Sequence, residues 1–585
     1  MAFMKLPLLF LLIFGTTGLY AQLYLSPSTE SDTYIYAKDR LVYVKEQIEL
    51  VKNNKKETEA SIYLRKNSEL IQGRTGSNGN RGTGLISVFQ KGTSNAYDYN
   101  YWGVPVNIST KNSRLNDLIF DPINQTESRT ANLIGSLEGS SSPLSISNRW
   151  IYTFSGTNYS NWLYAGDIFD LLPGEGFTMK GVNGSNLNTI ESESINPGNA
   201  QIYDFRGLPN DGLIELPIKK DQILLVGNPY PSSLDLDKFL IENTSTTGIA
   251  YFWDSKENGN SHYLADYEGG YGTYSPGTGI YIPPAFKKYS DGTDTGQTGK
   301  YYDRKLIPVA QGFMLIGNKN GLLKFQNSQR SYPWNRTNLP VFKTQASAME
   351  SLNLDIEINE TYLQKLALVF KTESTPEEDH AMDARKMDSY PKDISWSIAN
   401  TAYVINVRPR KDQELIPLKI SLADKAELKF YISDLNNFNP ERIFIYDARK
   451  ELYYSIKTGY LKLSLDKGEY QDWFYLSFIE KIQETTNPDS PDSTRIEKPE
   501  NILLNTIDIF QNNGGQQLEV KMLYDANLSR IRLYDLNGKQ FLDKNFKMPE
   551  KEFNFPTGNL SNAVYIVKVN TSDHKELTKK IGVKN

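Results

Sequence analysis

Apolar and polar residues alternate with a period of two along most of this chain. The alternating runs are short and are separated by Gly, Asn, Asp and Pro, which is the pattern of half-buried strands joined by tight turns. The clearest runs are Leu418/Ile420/Leu422, Leu428/Phe430/Ile432, Leu452/Tyr454/Ile456, Leu461/Leu463/Leu465 and Phe474/Leu476/Phe478. Each run places one apolar face on a core, so the pattern predicts an antiparallel β-sandwich domain over residues 350–481.

One segment fits a helix as well as a strand. It runs from Val44 to Lys56, where Val44, Ile48 and Val51 keep helical spacing while Ile48 and Leu50 also alternate. Both interpretations remain open at this point. Since long amphipathic helices are nearly absent elsewhere, the predicted fold class is all-β, with several antiparallel β-sandwich-like domains in series and a small β-sandwich at the end.

A change of composition marks the last domain boundary. Residues 482–500 are polar and contain prolines, and they have no apolar period with which to bury a core. The alternation restarts at Ile507 and continues to the run from Val564 to Val569. We therefore predict a linker at 482–500 and a compact β domain over residues 501–585.

The large β-rich region of residues 22–345 contains two similar series of motifs. The first series is Tyr99-Asn-Tyr-Trp-Gly-Val-Pro105, Gly174-Glu-Gly-Phe-Thr-Met-Lys180 and Tyr203-Asp-Phe-Arg-Gly-Leu-Pro-Asn210. The second is Val226-Gly-Asn-Pro-Tyr-Pro-Ser232, Ala310-Gln-Gly-Phe-Met-Leu-Ile316 and Lys324-Phe-Gln-Asn-Ser-Gln-Arg330. Their common order predicts an internal duplication of about residues 97–210 and 222–330.

The N-terminal residues have the pattern of a secretory signal peptide. Lys5 precedes the apolar stretch from Leu6 to Phe14, and small residues lead to a predicted cleavage between Ala21 and Gln22. A membrane-spanning helix needs about 20 apolar residues, and no segment of the mature chain comes close to that length. We expect residues 1–21 to be removed and the mature chain to be exported.

The composition removes several classes of chemistry. The chain has no cysteine, which excludes thiolate nucleophiles, cysteine zinc sites and iron–sulfur clusters, and it has only 3 histidines among 585 residues. The formal charge of −5 is mild and interleaved, without the basic stripe that neutralises phosphates. We expect no cofactor and no nucleic-acid partner.

Sequence motifs of common enzymes are missing. There is no Gly-x-Ser-x-Gly motif. The segment from Gly292 to Lys300 does not match a phosphate loop, because its glycines are wrongly spaced and Tyr301 stands where the magnesium-binding Ser or Thr would be. A glycosidase needs two facing carboxylates, and nothing selects such a pair among 69 acidic residues. A non-enzymatic protein is therefore predicted, and a secreted hydrolase is kept as the second alternative.

One acidic loop is a weak candidate for a calcium site. It carries Glu377, Glu378, Asp379 and Asp383, and hard Ca²⁺ prefers several carboxylate and carbonyl oxygens. Because the spacing matches no known calcium loop, a solvated acidic loop between two strands is the preferred interpretation.

Two groups of aromatic residues are candidates for a ligand surface, because flat apolar rings with polar edges suit sugars. In the first group, alternation places Tyr97, Tyr99 and Tyr101 on one face and Trp102 on the other, so part of the group belongs to a core. The second group contains Tyr251, Phe252, Trp253, Tyr263, Tyr267, Tyr271 and Tyr274. Core packing is the preferred interpretation of both groups, and the glycine-broken segment from Tyr263 to Tyr274 is the better candidate for an exposed surface. The candidate ligand residues are Trp253, Tyr263, Tyr267, Tyr271 and Tyr274.

The last residues carry motifs in a recognisable order. They are Ile531-Arg-Leu-Tyr-Asp-Leu-Asn-Gly538, Leu560-Ser-Asn-Ala-Val-Tyr-Ile-Val-Lys-Val569 and Lys579-Lys-Ile-Gly-Val-Lys584. This part resembles the type A C-terminal sorting domain of the type IX secretion system of Bacteroidota. The matching positions are Tyr534, Asp535, Gly538, Val564, Tyr565, Lys579 and Lys580. Ala563 departs from the family's usual Gly, and the Pro-Asn-Pro that often opens the domain is missing before Ile507.

The resemblance implies an export route through the periplasm to the cell surface or the exterior, and it also implies partners. The partners would be the type IX translocon and a sortase-like protease that removes the domain, followed by release or attachment to surface lipopolysaccharide. Other motifs, among them Gly227-Asn-Pro-Tyr-Pro231 and Gln311-Gly-Phe313, resemble exported proteins of the same bacteria with no assigned activity. The predicted function is a non-enzymatic adhesin-like or structural surface protein of the outer membrane or exterior. The first alternative is a protein that binds an extracellular glycan on an exposed aromatic platform.

Overall fold

The computed structural model of the chain describes residues 23–77, 79–107, 113–166, 168, 170–257, 259–333, 349–480, 507–513, 515–522, 527–536, 538–548, 550–572 and 576–585. The predicted signal peptide, with Ala21 and Gln22, and the predicted linker at 482–500 lie outside the described residues. The chain forms two compact units. The first contains Met1–Ala348, Ser374–Tyr390 and Tyr403–Val407, and the second contains Met349–Glu373, Pro391–Ala402 and Arg408–Asn585.

The strands are numbered in chain order. The first fifteen are β1 (Leu23–Leu25), β2 (Ile35–Lys38), β3 (Leu41–Val44), β4 (Ile48–Leu50), β5 (Ile62–Arg65), β6 (Glu69–Gln72), β7 (Arg81–Gly82), β8 (Ile86–Lys91), β9 (Tyr99–Trp102), β10 (Val106–Asn107), β11 (Ile119–Pro122), β12 (Ser128–Thr130), β13 (Asn132–Ile134), β14 (Gly139–Ser141) and β15 (Leu144–Ser147). The next group is β16 (Tyr152–Gly156), β17 (Trp162–Tyr164), β18 (Phe177–Lys180), β19 (Val182–Asn183), β20 (Asn186–Ile190), β21 (Glu193–Asn196), β22 (Ile202–Pro209), β23 (Ile214–Ile218), β24 (Ile223–Gly227), β25 (Ser233–Asp235) and β26 (Thr246–Ser255).

The strands from β27 to β45 continue the numbering. They are β27 (Glu268–Ser275), β28 (Ile280–Ile282), β29 (Ala285–Lys288), β30 (Asp294–Thr298), β31 (Leu306–Ile307), β32 (Gly312–Gly317), β33 (Gly321–Phe325), β34 (Arg330–Ser331), β35 (Glu350–Ile358), β36 (Tyr362–Phe370), β37 (Ala384–Arg385), β38 (Lys392–Ile398), β39 (Thr401–Arg408), β40 (Ile416–Leu422), β41 (Ala426–Asn436), β42 (Phe444–Asp447), β43 (Leu452–Ser455), β44 (Tyr460–Leu465) and β45 (Gly468–Ser477).

The C-terminal strands complete the set. They are β46 (Ile507–Asn512), β47 (Gln517–Met522), β48 (Leu528–Asp535), β49 (Gln540–Asn545), β50 (Glu552–Pro556), β51 (Ala563–Thr571) and β52 (Glu576–Val583). The α-helix of the described chain is α1 (Leu236–Glu242), and short 3-10 turns cover Leu115–Asp117, Asn148–Trp150, Tyr159–Asn161, Leu264–Asp266 and Asn327–Gln329.

The N-terminal strands of unit 1, apart from later partners, pair with one another in parallel. β1, β4 and β7 form one parallel ladder, β2, β5 and β8 form a second, and β3 pairs with β6 in a third. Ile48, Ile62 and Ile86 are fully buried in this stack. The segment that fitted a helix or a strand is thus a strand at Ile48–Leu50. The parallel pairing was not predicted, because the period of two is the same in parallel and antiparallel strands.

An eleven-stranded sheet dominates the rest of unit 1. Its order is β30-β29-β27-β26-β32-β24-β16-β18-β9, with β17 beside β16 and β28 beside β27. The apolar residues of this region form two buried cores, one including Trp102, Phe177 and Phe205 and the other including Phe239 and Phe313. This sheet positions the candidate site.

The two predicted repeats have the same strand pairing. β9 pairs with β18 so that Trp102 faces Phe177, and β24 pairs with β32 so that Val226 faces Phe313. These partners occupy equivalent places in the two series of motifs. Two isolated bridges, Trp102 to Gln311 and Glu175 to Val226, then link the two pairs at equivalent positions.

Backbone hydrogen bonds repeat the same relation. The Gly103 amide donates to the Ala310 carbonyl over 2.7 Å, and the Gly227 amide donates to the Gly174 carbonyl over 3.0 Å. A pseudo-two-fold axis between Gly103 and Gly227 would exchange these contacts. The matching register supports the duplication, which stays a prediction.

Unit 2 is built from antiparallel strands. One run has the order β43-β42-β45-β40-β38 and another has the order β36-β35-β41-β44. The alternation in these strands buries one set of side chains, including Leu354, Trp396, Leu418 and Phe430. The Trp396 indole donates to the Ala367 carbonyl over 2.9 Å, which satisfies its buried N–H.

The C-terminal residues form two small sheets around one core. The sheets have the orders β46-β47-β50 and β49-β48-β51-β52, and the core includes Ile509, Val520, Ile531 and Val567. The prediction of an all-β, multi-domain fold is confirmed. In the described residues, no helix has the length and apolar character needed to cross a bilayer.

Candidate functional site

Unit 1 contains a cavity of about 570 Å³ whose walls are mostly aromatic. Its rings include Tyr99, Tyr101, Trp150, Trp162, Trp253 and Tyr271. The volume lies within the range of about 300–1,000 Å³ that is usual for small-molecule sites. The three tryptophans are half-buried, so each presents part of its ring to the cavity while the remainder packs against the protein. We call this site the aromatic cavity.

Strand alternation directs the first rings into the aromatic cavity. Tyr99 and Tyr101 lie two positions apart on β9 and share a face, whereas Trp102 points the other way and is 4% exposed. On the neighbouring side, Trp253 of β26 lies directly opposite Tyr271 of β27. Their rings meet edge to face, with centroids 5.4 Å apart.

Ring contacts join these strands into one wall. Tyr101 stacks on Trp253 at 6.4 Å with an interplanar angle of 11°, and it meets Trp162 edge to face at 6.0 Å. The hydroxyl groups of Tyr101 and Tyr271 share a hydrogen bond of 2.7 Å. The rings are therefore held in place before any ligand binds, which lowers the entropy cost of binding.

A buried lysine lies behind one side of the aromatic cavity. The Lys180 ammonium is 3.8 Å from the centre of the Trp150 ring and 5.0 Å from the ring centres of Tyr99 and Tyr267. It contacts the Tyr267 hydroxyl and lies 3.1 Å from His262 Nδ1. Burial lowers the pKa of Lys180 to about 7, although the nearby negative charge of Asp98 acts in the opposite direction.

An ion pair supplies polar groups at another part of the wall. Lys287 Nζ lies 2.6 Å from Asp388 Oδ1, and the backbone amide of Tyr271 donates to Asp388 Oδ2 over 2.7 Å. Thr157, Asn158 and Ser389 add further polar groups to the lining. The cavity thus combines flat apolar faces with fixed hydrogen-bonding groups.

The structure separates the predicted aromatic surface into three parts. Trp253, Tyr267 and Tyr271 line the aromatic cavity, while Tyr263 is 78% exposed and lies outside its lining. Tyr274 is 1% exposed, and its hydroxyl donates to Asp237. The assignment of Tyr274 to a ligand surface was wrong, because its face of β27 packs into the core.

Some of the lining residues were missed by sequence reasoning. Trp150, Trp162 and Tyr289 come from segments far from β9 and β26, and no local pattern connects them. The structure brings the two predicted aromatic groups together, since Tyr101 of the first group contacts Trp253 and Tyr271 of the second. Tyr99 of the first group contacts Tyr267 of the second.

The acidic loop is occupied by bonds within the protein. Glu378 forms an ion pair with Arg385 at 2.6 Å, and the Asp379 carboxylate accepts from Thr375. Asp383 is fully buried and accepts from the amides of Asp379 and Val407, and burial raises its pKa to about 7.

The four acidic residues that were candidate calcium ligands do not converge on one point. In the parts of the chain described here, no group of three or more His, Asp or Glu side chains is arranged to hold a metal ion. Glu377, Glu378, Asp379 and Asp383 are therefore not arranged as the site that their clustering suggested, since three of these carboxylates are bound by other groups of the protein.

The sorting-motif residues occupy structural positions in the C-terminal sandwich. Gly538 has φ of +84°, and its amide donates to the Asp535 carbonyl in the turn that follows Tyr534. Tyr565 is buried with its hydroxyl 3.0 Å from Ser561 Oγ, and Lys579 Nζ donates to the Ile509 carbonyl. Val564 and Lys580 are exposed.

The fold and the cavity define an all-β, multi-domain protein with an aromatic site in its large N-terminal unit. The chain belongs to the family described as "Domain of unknown function (DUF8693)", which matches residues 33–478. A second family, described as "Domain of unknown function (DUF8694)", matches residues 497–583. No curated protein matches the chain. The first match covers the aromatic cavity, and the second covers the C-terminal sandwich.

Proposed function

We propose that this is a non-enzymatic protein of the cell surface or exterior that adheres to glycans by binding carbohydrate in the aromatic cavity. The observation that carries this proposal is the set of half-buried Trp150, Trp162 and Trp253 around about 570 Å³ of space. Sugar rings expose apolar C–H faces and polar edges, which match flat aromatic faces beside fixed hydrogen-bonding groups.

The charged groups of the aromatic cavity favour binding over hydrolysis. Among the described lining residues, Asp388 supplies the carboxylate, and it is held by Lys287 and by the Tyr271 amide. Glycoside hydrolysis uses two carboxylates on opposite sides of the bond that is cleaved. A single ion-paired carboxylate suits an acceptor for sugar hydroxyls instead.

The proposal is tested first by screening the purified mature protein on a glycan array, followed by calorimetry with the best ligand. We expect Trp162→Ala to weaken binding by about tenfold or more, because aromatic anchors at the centre of a site often contribute over about 1.4 kcal/mol. Tyr24→Ala is the matched control, since Tyr24 is 58% exposed and does not line the cavity.

Either of two results would contradict carbohydrate binding. One is the absence of binding to any glycan by a protein that is shown to be folded. The other is equal affinity of the wild type and Trp162→Ala, which would place the binding site elsewhere.

The C-terminal sandwich is proposed to be a type IX sorting domain that is removed during export. The support is the order of its motifs and the turn at Gly538, together with a core of its own within residues 507–583. Intact mass and location are measured in strains with and without a working type IX translocon. We expect an exterior species that lacks residues 1–21 and the sandwich, and its loss in the mutant.

A mature chain that still ends at Asn585 and is exported equally by both strains would refute the sorting proposal. The sandwich would then be a permanent part of the protein. This result would leave the carbohydrate-binding proposal untouched, because the aromatic cavity lies wholly in unit 1.

A further inference from the structure

A second cavity lies between β9 and β26. It has a volume of about 430 Å³ and is lined on one side by residues 99–102 and on the other by residues 252–255. We call it the strand gap. In contrast to the aromatic cavity, its lining is rich in charged and amide side chains, including Lys91, Asp98 and Asn100.

The predicted internal duplication accounts for the position of the strand gap. In the first repeat, β16 lies between β18 and β24, with Tyr152 opposite Thr178, and Ser155 and Gly156 opposite Leu224 and Ile223. β16 therefore pairs with strands of both series of motifs, with β18 at its first residue and with β24 at its last two.

The corresponding strand of the second repeat is β26. Tyr251 of β26 lies opposite Met314, which is the equivalent of Tyr152 opposite Thr178. By the same correspondence, Asp254 and Ser255 would pair with β9. In the described sheet order, however, β9 neighbours β18 and not β26. The strand gap lies where this pairing of β26 with β9 would be.

Two tryptophans in the lining of the strand gap carry buried indole N–H groups. The indole N–H groups of Trp102 and Trp253 are buried and have no hydrogen-bond partner within the protein, and Trp102 is 4% exposed. A buried donor without a partner costs roughly 1–3 kcal/mol, so an acceptor from a ligand would relieve this cost. Asp98, Asp254 and Glu257 supply acceptors in the same lining.

The strand gap adjoins the aromatic cavity. A third cavity of about 320 Å³ shares Asp98, Ser255 and Glu257 with the strand gap. All three cavities share Tyr99 and Trp253. These two side chains therefore lie beside all three cavities, between the aromatic cavity and the more polar strand gap.

We propose that the strand gap is a second subsite for the same glycan, so that the protein recognises a linear oligosaccharide rather than a single sugar. The proposal rests on carbohydrate binding in the aromatic cavity. One end of the chain stacks on the aromatic rings, and the following units place hydroxyl groups against the indole donors and the carboxylates of the strand gap. A polyhydroxylated chain suits this lining because each hydroxyl both donates and accepts.

The test measures affinity against chain length. The probes are cello-, chito- and manno-oligosaccharides from the disaccharide to the octasaccharide, and binding to the mature protein is followed by calorimetry. For the series that binds, we expect affinity to rise about tenfold or more beyond the length that fills the aromatic cavity, which corresponds to about 1.4 kcal/mol.

Two variants test whether the increase in affinity with chain length comes from the strand gap. Asp98→Asn combined with Glu257→Ala is expected to remove most of the gain for long chains and to leave the affinity for the disaccharide unchanged. Trp162→Ala is expected to weaken binding of short and long chains alike, because Trp162 lines only the aromatic cavity among the three. Thermal unfolding of each variant checks that the fold is intact.

The possible failures are distinct. Affinity that is independent of chain length, or a length dependence that survives the double substitution, would overturn the second subsite while carbohydrate binding stands. No binding of any oligosaccharide or array glycan would overturn the proposed function, and the second subsite with it.

Discussion

Burial of Lys180 lowers the free energy of unfolding by an amount that depends on pH. Lys180 is 3% exposed and its ammonium lies among aromatic rings, and burial lowers its pKa to about 7 from the usual 10.5. Between these two values the unfolded chain holds a proton that the folded chain has released. The free energy of unfolding therefore rises with pH over this interval because of Lys180.

We expect the free energy of unfolding of Lys180→Met to increase less with pH than that of the wild type. The variant has no titrating amine, and its thioether can pack against Trp150 and Tyr99. Denaturant unfolding at pH 7 and pH 9 gives the difference for each protein, and Lys219→Met at an exposed site is the control. Parallel behaviour of the wild type and Lys180→Met would show that Lys180 does not release its proton in this interval.

Asp204 joins strands of unit 1 through a buried polar network. Its carboxylate accepts from Ser87 Oγ at 2.6 Å, Ser128 Oγ at 2.7 Å and Arg206 Nε at 2.6 Å. Arg65, which is fully buried, donates to Ser87 Oγ at 2.9 Å. One carboxylate thereby balances part of the charge of two buried guanidinium groups.

We expect Asp204→Asn to lower the free energy of unfolding by roughly 3–5 kcal/mol, which is typical when one partner of a buried ion pair is removed. The amide would also point an N–H group at existing donors. Chemical denaturation measures the change, and Glu215→Gln, in the half-exposed pair with Lys324, is the control. A loss below about 1 kcal/mol would mean that the network is not important for stability.

At the scale of elements, the crossing of β9 and β24 depends on glycine. A Cβ atom on Gly227 would lie 2.2 Å from the Gly103 Cα, and one on Gly103 would lie 2.6 Å from the Gly227 carbonyl carbon. Both contacts are with backbone atoms, which cannot move aside like a flexible side chain. The two repeats can approach this closely only where both strands lack a side chain.

Gly227→Ala is therefore expected to destabilise unit 1 by about 1–3 kcal/mol or more through steric overlap. Gly135→Ala is the matched control, since a Cβ there meets no atom within 4 Å. Thermal and denaturant unfolding of both variants give the comparison. Equal stability of the two variants would contradict a close crossing at Gly103 and Gly227.

At the scale of the whole molecule, the C-terminal sandwich has a core that consists of its own residues, such as Ile531, Tyr565 and Val567. The sequence predicts an extended linker before it at 482–500. We expect brief trypsin treatment of the full chain to cut at Arg495 and release a resistant C-terminal fragment, because Lys498 precedes Pro499 and resists trypsin. Degradation of the C-terminal residues before any cut in the linker would contradict an independent sandwich.

Part of the candidate site was predictable from the sequence. The alternation in Tyr99-Asn-Tyr-Trp102 put Trp102 on one face and the tyrosines on the other, and the structure shows that the Trp102 face is the one in the core. The same reasoning could not place Trp150 or Trp162, because ring contacts between distant strands leave no local pattern. It also placed Tyr274 on a surface, since a tyrosine-rich segment does not reveal which of its rings face the core.

The sequence by itself determined that the protein is all-β, because period-two alternation broken by turn residues leaves strands as the only way to bury the apolar positions. It also indicated the break before the C-terminal sandwich. Only the tertiary structure decided which strands pair and that β1 to β8 pair with one another in parallel. It also decided that β26 and β9 do not pair, which leaves the strand gap between them. The physical reason is that alternation selects a face for each side chain, whereas the partner strand is selected by packing between segments far apart in the chain.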